Sequence, residues 1–339
     1  MNREVIESLF PDMKVNDTMH IIRRRLSAEL EAMNAIIRNA LHTDDPLMSC
    51  VVDRYLLSKG KQIRPLLVLL SAKMFGGASD ATLHAAASLE MLHNASLIHD
   101  DVVDSSDFRR GRPTLNHEFD NRIAVLTGDF FVSNALAQAL ETGDMKAIWS
   151  IAELGKELSL GEIDQISNAR ECTFDEQRYM SVISRKTASL FMKCIRMGAE
   201  SAGADEVSVS RAVEYGRLLG LCFQIKDDIF DYFEDETVGK PTGNDLRENK
   251  VSLPLIYALR SAPEEESGAM KALLRRGGLS DGEIAELIDF AKRSGGIEYA
   301  RSVMERMQAE SKVLLRSLPD NEWRDAFADL FDFTIARDA

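Results

Sequence analysis

Two groups of aspartates in this sequence share one spacing. Both follow the pattern DDxxD, with Asp100, Asp101 and Asp104 in the first group and Asp227, Asp228 and Asp231 in the second. On a helix, the first and last aspartates of such a group point within about 40° of each other. Carboxylates held this close repel, which raises the pKa of at least one of them unless a cation lies nearby. Divalent cations that prefer oxygen ligands, Mg²⁺ above all, relieve this repulsion.

One DDxxD group alone is equally explained as a solvated acidic helix face. The neighbours of both groups argue otherwise, because Leu97 and Ile98 precede the first group and the apolar run 218–225 precedes the second. Two acidic groups on helices that otherwise look buried are difficult to explain as solvated helix faces. The sequence therefore predicts that both groups line one metal site.

Helical periodicity dominates the chain, and no stretch alternates convincingly like a strand. The two acidic groups fall on long predicted helices at residues 78–104 and 207–233. Other predicted helices include one over residues 15–41 and one that starts with a capping box at Thr173 and Glu176 and continues to residue 202. No repeat and no linker of domain-boundary length interrupts the pattern. We expect a single all-α domain over residues 1–339, a large helical bundle around a central metal-lined cavity.

Composition excludes several classes of protein. With 339 residues, 45% of them hydrophobic, the chain can bury a large core. Its formal net charge of −14 argues against nucleic-acid binding. The four cysteines have no paired spacing, which favours a reduced, cytoplasmic protein. The strongest apolar run, residues 65–72, is far shorter than the ~20 residues of a membrane span, so we expect no stable membrane insertion.

Basic residues bracket both acidic groups. These are Lys61, Arg64, Arg109, Arg110, Lys186, Lys240 and Lys250. Arginine binds phosphate through its planar fork of donors, and lysine binds it as a point charge. Each residue alone would be an ordinary surface charge. Together with the carboxylates they predict an anion that metal ions and basic side chains hold jointly.

Five motifs in order carry a family resemblance. They are GKQIRP (60–65), LIHDDVVDSSDFRRGRPT (97–114), the pair Lys186-Thr187, FQIKDDIFD (223–231) and GKPTGNDLRENK (239–250). Over about residues 15–335 the sequence resembles the trans (head-to-tail) prenyl diphosphate synthases, especially their long-chain polyprenyl members. The resemblance implies the isoprenoid synthase fold and a Mg²⁺-dependent prenyltransferase, which transfers alkyl groups.

The resemblance also implies roles for the site residues. About three Mg²⁺ ions would hold the allylic diphosphate between the two aspartate groups, with direct contacts from Arg109, Lys186 and Lys240. Loss of diphosphate would leave an allylic cation, and Thr187 and Gln224 would line its path.

Isopentenyl diphosphate, held by Lys61, Arg64, His93 and Arg110, would attack this cation, and the released diphosphate would take the final proton. Lys250, which closes the last motif, joins the substrate-binding set. Family members imply a homodimer. At the carboxyl end the sequence has Arg337 but no basic tail, so we expect no site-closing role there.

Residues before the first acidic group bear on product length. Ala95 and Ser96 lie about one turn before it, and Leu92 and Met91 follow along the same side of the helix. Short-chain relatives carry aromatic residues at one or both of the first two positions, whereas both are small here. We expect an open tunnel and a product longer than C20, in the range of quinone side chains. Small residues also suit tight helix packing, so a synthase of farnesyl or geranylgeranyl length remains an alternative.

Four other classes fit the sequence less well. A class I terpene cyclase would have an NSE or DTE pattern in place of the second DDxxD. A di-iron carboxylate bundle would need a second Glu-x-x-His besides Glu90 and His93, and the sequence has none. A P-loop ATPase would need GxxxxGK[ST], which is also missing. Non-catalytic subunits of heteromeric relatives lose the acidic motifs that are intact here.

Overall fold

The fold is almost entirely helical. The structure, a computed structural model, describes residues 16–57, 62–109, 111–233 and 242–337. A two-stranded antiparallel hairpin pairs β1 (Phe108–Arg109) with β2 (Arg112–Pro113). The helices are α1 (Asn16–Arg25), α2 (Ser27–Ala40), α3 (Pro46–Leu56), α4 (Ile63–Met74), α5 (Asp80–Val103), α6 (Leu115–Glu118), α7 (Asn121–Glu141), α8 (Met145–Glu171), α9 (Glu176–Ile183), α10 (Ser189–Ser201), α11 (Glu206–Phe230), α12 (Asn244–Arg247), α13 (Leu253–Ser261), α14 (Glu264–Arg276), α15 (Asp281–Arg293), α16 (Gly296–Leu315) and α17 (Glu322–Ala336). This confirms the predicted all-α class.

Helices α5 and α11 lie at the centre of the bundle and carry the two acidic groups. Helix α5 starts at a capping box between Ser79 and Thr82 and packs most extensively against α7. The approach is close because Gly128 of α7 has no side chain; a Cβ atom there would overlap the imidazole of His99. Helix α11 packs against α10 and α16. Both central helices are therefore held on several sides, which fixes where their acidic ends lie.

One large cluster of buried apolar side chains runs from α1 to α17. It includes Leu66 of α4, Phe131 of α7, Phe191 of α10 and Tyr215 of α11. Burial of such side chains, each worth about 1.5–3 kcal/mol, is the main force that holds the helices together. The single domain over residues 1–339 extends beyond the described ranges and stays a prediction.

Local structure differs from the sequence prediction at several places. The helix predicted over residues 15–41 is interrupted at Leu26, whose side chain is fully buried. The helix predicted from Thr173 starts later, at Glu176, because Asp175 caps it by accepting a hydrogen bond from the backbone N–H of Arg178. A π-helical turn at Ser184–Ala188 separates α9 from α10, and such turns are frequent at functional sites. The short hairpin was also not predicted.

Helix α7 has an apolar side that no described part of the chain covers. By length and composition α7 could cross a membrane, although a third of its apolar window is buried in the fold. The sequence analysis did not single out this helix, and its prediction of no stable membrane insertion stays a prediction. Large apolar side chains are exposed on α7 and on the start of α8, namely Val125, Leu126, Leu140, Met145 and Trp149. We call these five residues the α7–α8 apolar face.

Candidate active site

The first acidic group lies at the end of α5, where the hairpin folds back over it. Asp101 is 5% exposed, and Arg109 of β1 donates from its Nε to the Oδ1 of Asp101 at 2.6 Å. Burial raises the pKa of Asp101, and the adjacent guanidinium of Arg109 opposes that rise. The pair explains why a basic residue follows the first acidic group so closely in the sequence.

Asp100 lies among further charges. Burial raises the pKa of Asp100 to about 6; Lys186 opposes the rise, whereas Glu162 and Asp104 add to it. A carboxyl that resists ionisation among other carboxylates gains stability from a bound cation. Glu162, on α8, was not among the residues that the sequence singled out.

In the second acidic group, Asp228 is deeply buried and both of its oxygens are hydrogen-bonded. It is 6% exposed, and its oxygens accept hydrogen bonds from Tyr179 Oη at 2.6 Å and from Gln224 Nε2 at 2.7 Å. Burial raises the pKa of Asp228 to about 6, and these two donors limit the rise. Asp228 therefore fixes the positions of Tyr179 and Gln224. Its neighbour Asp227 is the more accessible of the two carboxylates.

Asp231 holds the start of α12. Its two carboxylate oxygens accept hydrogen bonds from the backbone N–H groups of Asn244 and Asp245, each at 3.0 Å. This contact places Asp245 beside the second acidic group. Burial raises the pKa of Asp245 well above its usual value, and Asp228 and Asp231 add to the effect. Asp245 stands within the fifth motif but was not selected as a site residue.

Lys250 connects the two acidic groups. Its Nζ lies 3.9 Å from Asp104 Oδ1 and forms an ion pair with Glu248. Burial lowers the pKa of Lys250, but Glu248, Asp104 and Asp245 together raise it above its usual value. The backbone N–H of Lys250 also donates to the carbonyl of Asp245 at 2.7 Å, and Asp245 in turn is held by Asp231. Lys250 thus lies between Asp104 and the segment that Asp231 holds, so the acidic ends of α5 and α11 face each other.

The π-helical turn presents the pair Lys186-Thr187 to the same region. Thr187 donates its hydroxyl proton to Gln224 Oε1 at 2.6 Å. Lys186 forms an ion pair with Glu162 and a hydrogen bond of 3.3 Å to Gln165 Oε1. Helix α8 comes this close because Gly161 lacks a side chain; a Cβ atom there would lie 3.0 Å from the backbone nitrogen of Lys186.

A cavity of about 210 Å³ lies between these elements. Its lining includes Lys186, Thr187, Gln224, Asp228, Asp245 and Lys250. Positive charge, hydroxyl and amide groups and carboxylates thus surround one space, which suits a diphosphate whose charge the protein must balance.

The residues predicted to bind isopentenyl diphosphate are only partly located. His93 is 8% exposed and lies about two turns before Asp100 on the same face of α5. The guanidinium carbon of Arg64, on α4, lies 5.9 Å from the centre of the Phe191 ring. Lys61, Arg110 and Lys240 lie outside the described residues.

The residues predicted to control chain length are tightly packed. Met91 and Ala95 are fully buried, Leu92 is nearly so, and Ser96 is half-buried with its hydroxyl donated to the backbone carbonyl of His93 at 2.9 Å. Neither the cavity above nor a second one of about 420 Å³ beside Glu90 is lined by them. The tunnel therefore stays a prediction.

Arg337 reaches the second acidic group, a contact that the sequence analysis did not predict. Its Nη2 lies 2.5 Å from Asp227 Oδ1 and 3.1 Å from the backbone oxygen of Phe223. The sequence offered no signal for this contact, because it depends on how α17 packs against α11.

The donor set suits a divalent cation that prefers oxygen ligands. Within the ranges that the structure describes, no three His, Cys, Asp or Glu side chains form a ready-made cluster for a metal. The carboxylates instead carry internal counter-ions, as in the pairs Asp101–Arg109 and Asp227–Arg337. Facing carboxylates are the ligands that Mg²⁺ or Ca²⁺ would take. Among them, burial raises the pKa of Asp100, Asp101, Asp228 and Asp231.

An all-helical bundle in which two DDxxD groups face each other beside basic side chains has the architecture of an isoprenoid synthase. The model of the polyprenyl synthetase family matches residues 45–291, and the chain belongs to this family of prenyltransferases. It is 32% identical over 328 residues to octaprenyl diphosphate synthase of Haemophilus influenzae, covering 96% of this chain and 99% of that protein.

Two solved structures are also similar. A polyprenyl synthase from Caulobacter crescentus, complexed with calcium and isoprenyl diphosphate, matches with a TM-score of 0.88 and 30% identity over 95% of this chain and 98% of that one. A geranylgeranyl pyrophosphate synthase from Bacteroides thetaiotaomicron matches with a TM-score of 0.82 and 38% identity over 95% and 100%.

Proposed function

We propose that the protein condenses isopentenyl diphosphate head-to-tail with an allylic diphosphate and repeats the step to make a long-chain trans polyprenyl diphosphate for a quinone side chain. Each cycle forms one carbon–carbon bond and releases one diphosphate and one proton. The observation that carries the proposal is the cavity lined by Lys186, Thr187 and Asp228, whose lining residue Lys250 also reaches Asp104 of the first acidic group at 3.9 Å.

We further propose that the divalent cation is Mg²⁺, about three ions per site. Asp100, Asp104 and Asp227 would hold them, since Asp228 is already engaged by Tyr179 and Gln224. When bound, the ions neutralise charge on the departing diphosphate. The calcium in the Caulobacter crescentus complex supports a divalent cation at this kind of site.

The basic side chains are positioned to exchange partners. Arg109 forms an ion pair with Asp101, and Lys186 forms one with Glu162. The phosphate oxygens of a bound diphosphate would offer the Arg109 guanidinium and the Lys186 ammonium alternative partners. Charge-assisted contacts of this kind are stronger than neutral hydrogen bonds, so they help to hold the diphosphate as it leaves.

Thr187 and Gln224 are positioned to stabilise the positive charge on the allylic carbon. Because Gln224 donates to Asp228, its carbonyl oxygen is left to accept the proton of the Thr187 hydroxyl. The lone pairs of that hydroxyl are then available in the cavity, where positive charge develops on the allylic carbon. A dipole already oriented before the reaction stabilises this charge without reorganisation.

Arg64 and His93 would bind isopentenyl diphosphate together with Lys61 and Arg110. Its double bond would attack the allylic cation, and the proton lost from the adduct would pass to the released diphosphate. No side chain needs to form a covalent bond or act as a base in this scheme.

Small residues at Ala95 and Ser96 favour a long product. The octaprenyl relative supports this length, whereas the geranylgeranyl neighbour makes a C20 synthase the second candidate.

We propose that the protein acts as a homodimer in the cytoplasm. The α7–α8 apolar face, with Leu126, Leu140 and Trp149 more than half exposed, would pack against the same face of a second copy. Burying several large apolar side chains on each copy would supply the driving force.

Product analysis tests the proposed reaction. Purified protein is incubated with labelled isopentenyl diphosphate, Mg²⁺ and a C10, C15 or C20 allylic primer, and the dephosphorylated products are sized. We expect polyprenols longer than C20 and no product with a chelator present. A sole C20 product would favour the second candidate, and no consumption of isopentenyl diphosphate would contradict the proposal.

A further inference from the structure

Arg337 occupies a built binding site at the end of α17. Besides its hydrogen bonds to Asp227 Oδ1 and the Phe223 carbonyl, its guanidinium carbon lies 4.2 Å from the centre of the Phe223 ring and 5.3 Å from that of Phe230. Residues 223, 227 and 230 share one face of α11. The side chain of Arg337 is 12% exposed. It is therefore packed against the acidic group and is not a solvated terminal charge.

The partner of Arg337 is the accessible carboxylate of its group. The Asp227 side chain is 41% exposed, whereas Asp228 is 6% exposed and both its oxygens accept hydrogen bonds. The first acidic group also has an internal counter-ion, because Arg109 forms an ion pair with Asp101, although that carboxylate is buried. In both acidic groups, a basic side chain of the protein thus balances the negative charge of a carboxylate, as a metal ion would.

We propose that Arg337 is the resting counter-ion of Asp227, and that metal binding at Asp227 releases Arg337 together with the last turn of α17. The inference rests on the proposed function, because it takes Asp227 as a metal ligand. Two cations on one carboxylate repel each other, and the repulsion is stronger in a partly buried site than in water. Release of Arg337 removes this repulsion, so metal occupancy is linked to the order of the carboxyl end.

Metal affinity without turnover provides the test. Binding of Mn²⁺ is titrated by electron paramagnetic resonance in the presence of inorganic diphosphate. Arg337→Met keeps the packing between the two phenyl rings but removes the charge. We expect it to bind Mn²⁺ about tenfold more tightly, since a charged hydrogen bond of this kind no longer has to break. Arg337→Lys, which keeps the charge, should stay close to the parent.

Arg324→Met is the matched control. It makes the same change of charge on the same helix, about 20 Å away at 1.5 Å per residue, where Arg324 pairs with Asp320. We expect it to leave Mn²⁺ affinity unchanged. In an Asp227→Asn background, adding Arg337→Met should have no further effect.

Hydrogen exchange supplies a second readout that needs no variant. Adding Mn²⁺ and diphosphate to the parent should speed exchange in the last turn of α17, residues 333–336. If Arg337→Met binds Mn²⁺ no more tightly than the parent, or tightens binding equally in the Asp227→Asn background, Arg337 is not the counter-ion. Unchanged or slower exchange in the metal-loaded parent would contradict the proposed release of Arg337 and the last turn of α17. A parent that binds no Mn²⁺ would overturn the metal site itself, which is a separate failure.

Discussion

Removing the Tyr179 hydroxyl should make stability depend more steeply on pH. In Tyr179→Phe, the ring stays in place but Asp228 loses the donor that lies 2.6 Å from its Oδ2. A hydrogen bond to a charged group contributes about 1.5–3 kcal/mol, and one pKa unit corresponds to about 1.4 kcal/mol. The pKa of Asp228, about 6 in the parent, should therefore rise by about one to two units.

The loss of stability is larger at high pH because the Tyr179 hydroxyl stabilises the ionised form of Asp228 more than its neutral form. The donor stabilises the carboxylate, so its loss matters most where Asp228 is ionised in the parent, above about pH 6. Below that pH both proteins carry a neutral acid, and only an ordinary hydrogen bond of about 1 kcal/mol is lost. We expect the free energy of unfolding to fall by about 1 kcal/mol at pH 5 and by about 2–3 kcal/mol at pH 8.5.

Denaturant unfolding of metal-free protein at the two pH values measures this difference. Tyr232→Phe is the control, because Tyr232 is equally buried but bonds to the neutral hydroxyl of Ser252 at 2.9 Å. Its loss of stability should be the same at both pH values. If Tyr179→Phe also loses equal stability at both, the hydroxyl does not support the Asp228 carboxylate and the reasoning is refuted.

Three further predictions concern activity. Asp100→Ala or Asp227→Ala should lower turnover by orders of magnitude without loss of helicity, measured by substrate consumption and circular dichroism; full activity in either would contradict the metal site. Arg64→Ala should raise the KM for isopentenyl diphosphate far more than that for the allylic primer, and Lys186→Ala should do the reverse, so equal effects in steady-state kinetics would mean that the two sites are wrongly assigned. Ala95→Phe should place a ring across the tunnel and shift products to C15 or C20, and unchanged product length by chromatography would mean that other residues limit the chain.

The helices that carry the acidic groups were predictable because their signal is local. Apolar residues at helical spacing predict that α5 and α11 are buried helices, and the DDxxD pattern can be recognised within five residues. The pair Lys186-Thr187 and Gln224 were also identified from motifs, and the structure places their side chains around one cavity.

Other site residues were not predictable because their contacts join distant parts of the chain. Glu162 reaches Lys186 from another helix, and Tyr179 meets Asp228 across 49 residues of sequence. Arg337 meets Asp227 across 110 residues. Nothing in the residues around each of these positions sets it apart from an ordinary surface acid, core tyrosine or terminal arginine. Only the packing of whole helices creates their roles.

Diffraction from crystals grown with Mn²⁺ and an unreactive allylic bisphosphonate would test the central claim most directly. The claim is that the two acidic groups hold one diphosphate between them through shared metal ions. We predict anomalous peaks at coordination distance from Asp100 and Asp104 on one side and from Asp227 on the other, with the bisphosphonate between them. Peaks beside only one group, or a bisphosphonate bound away from both, would contradict the account.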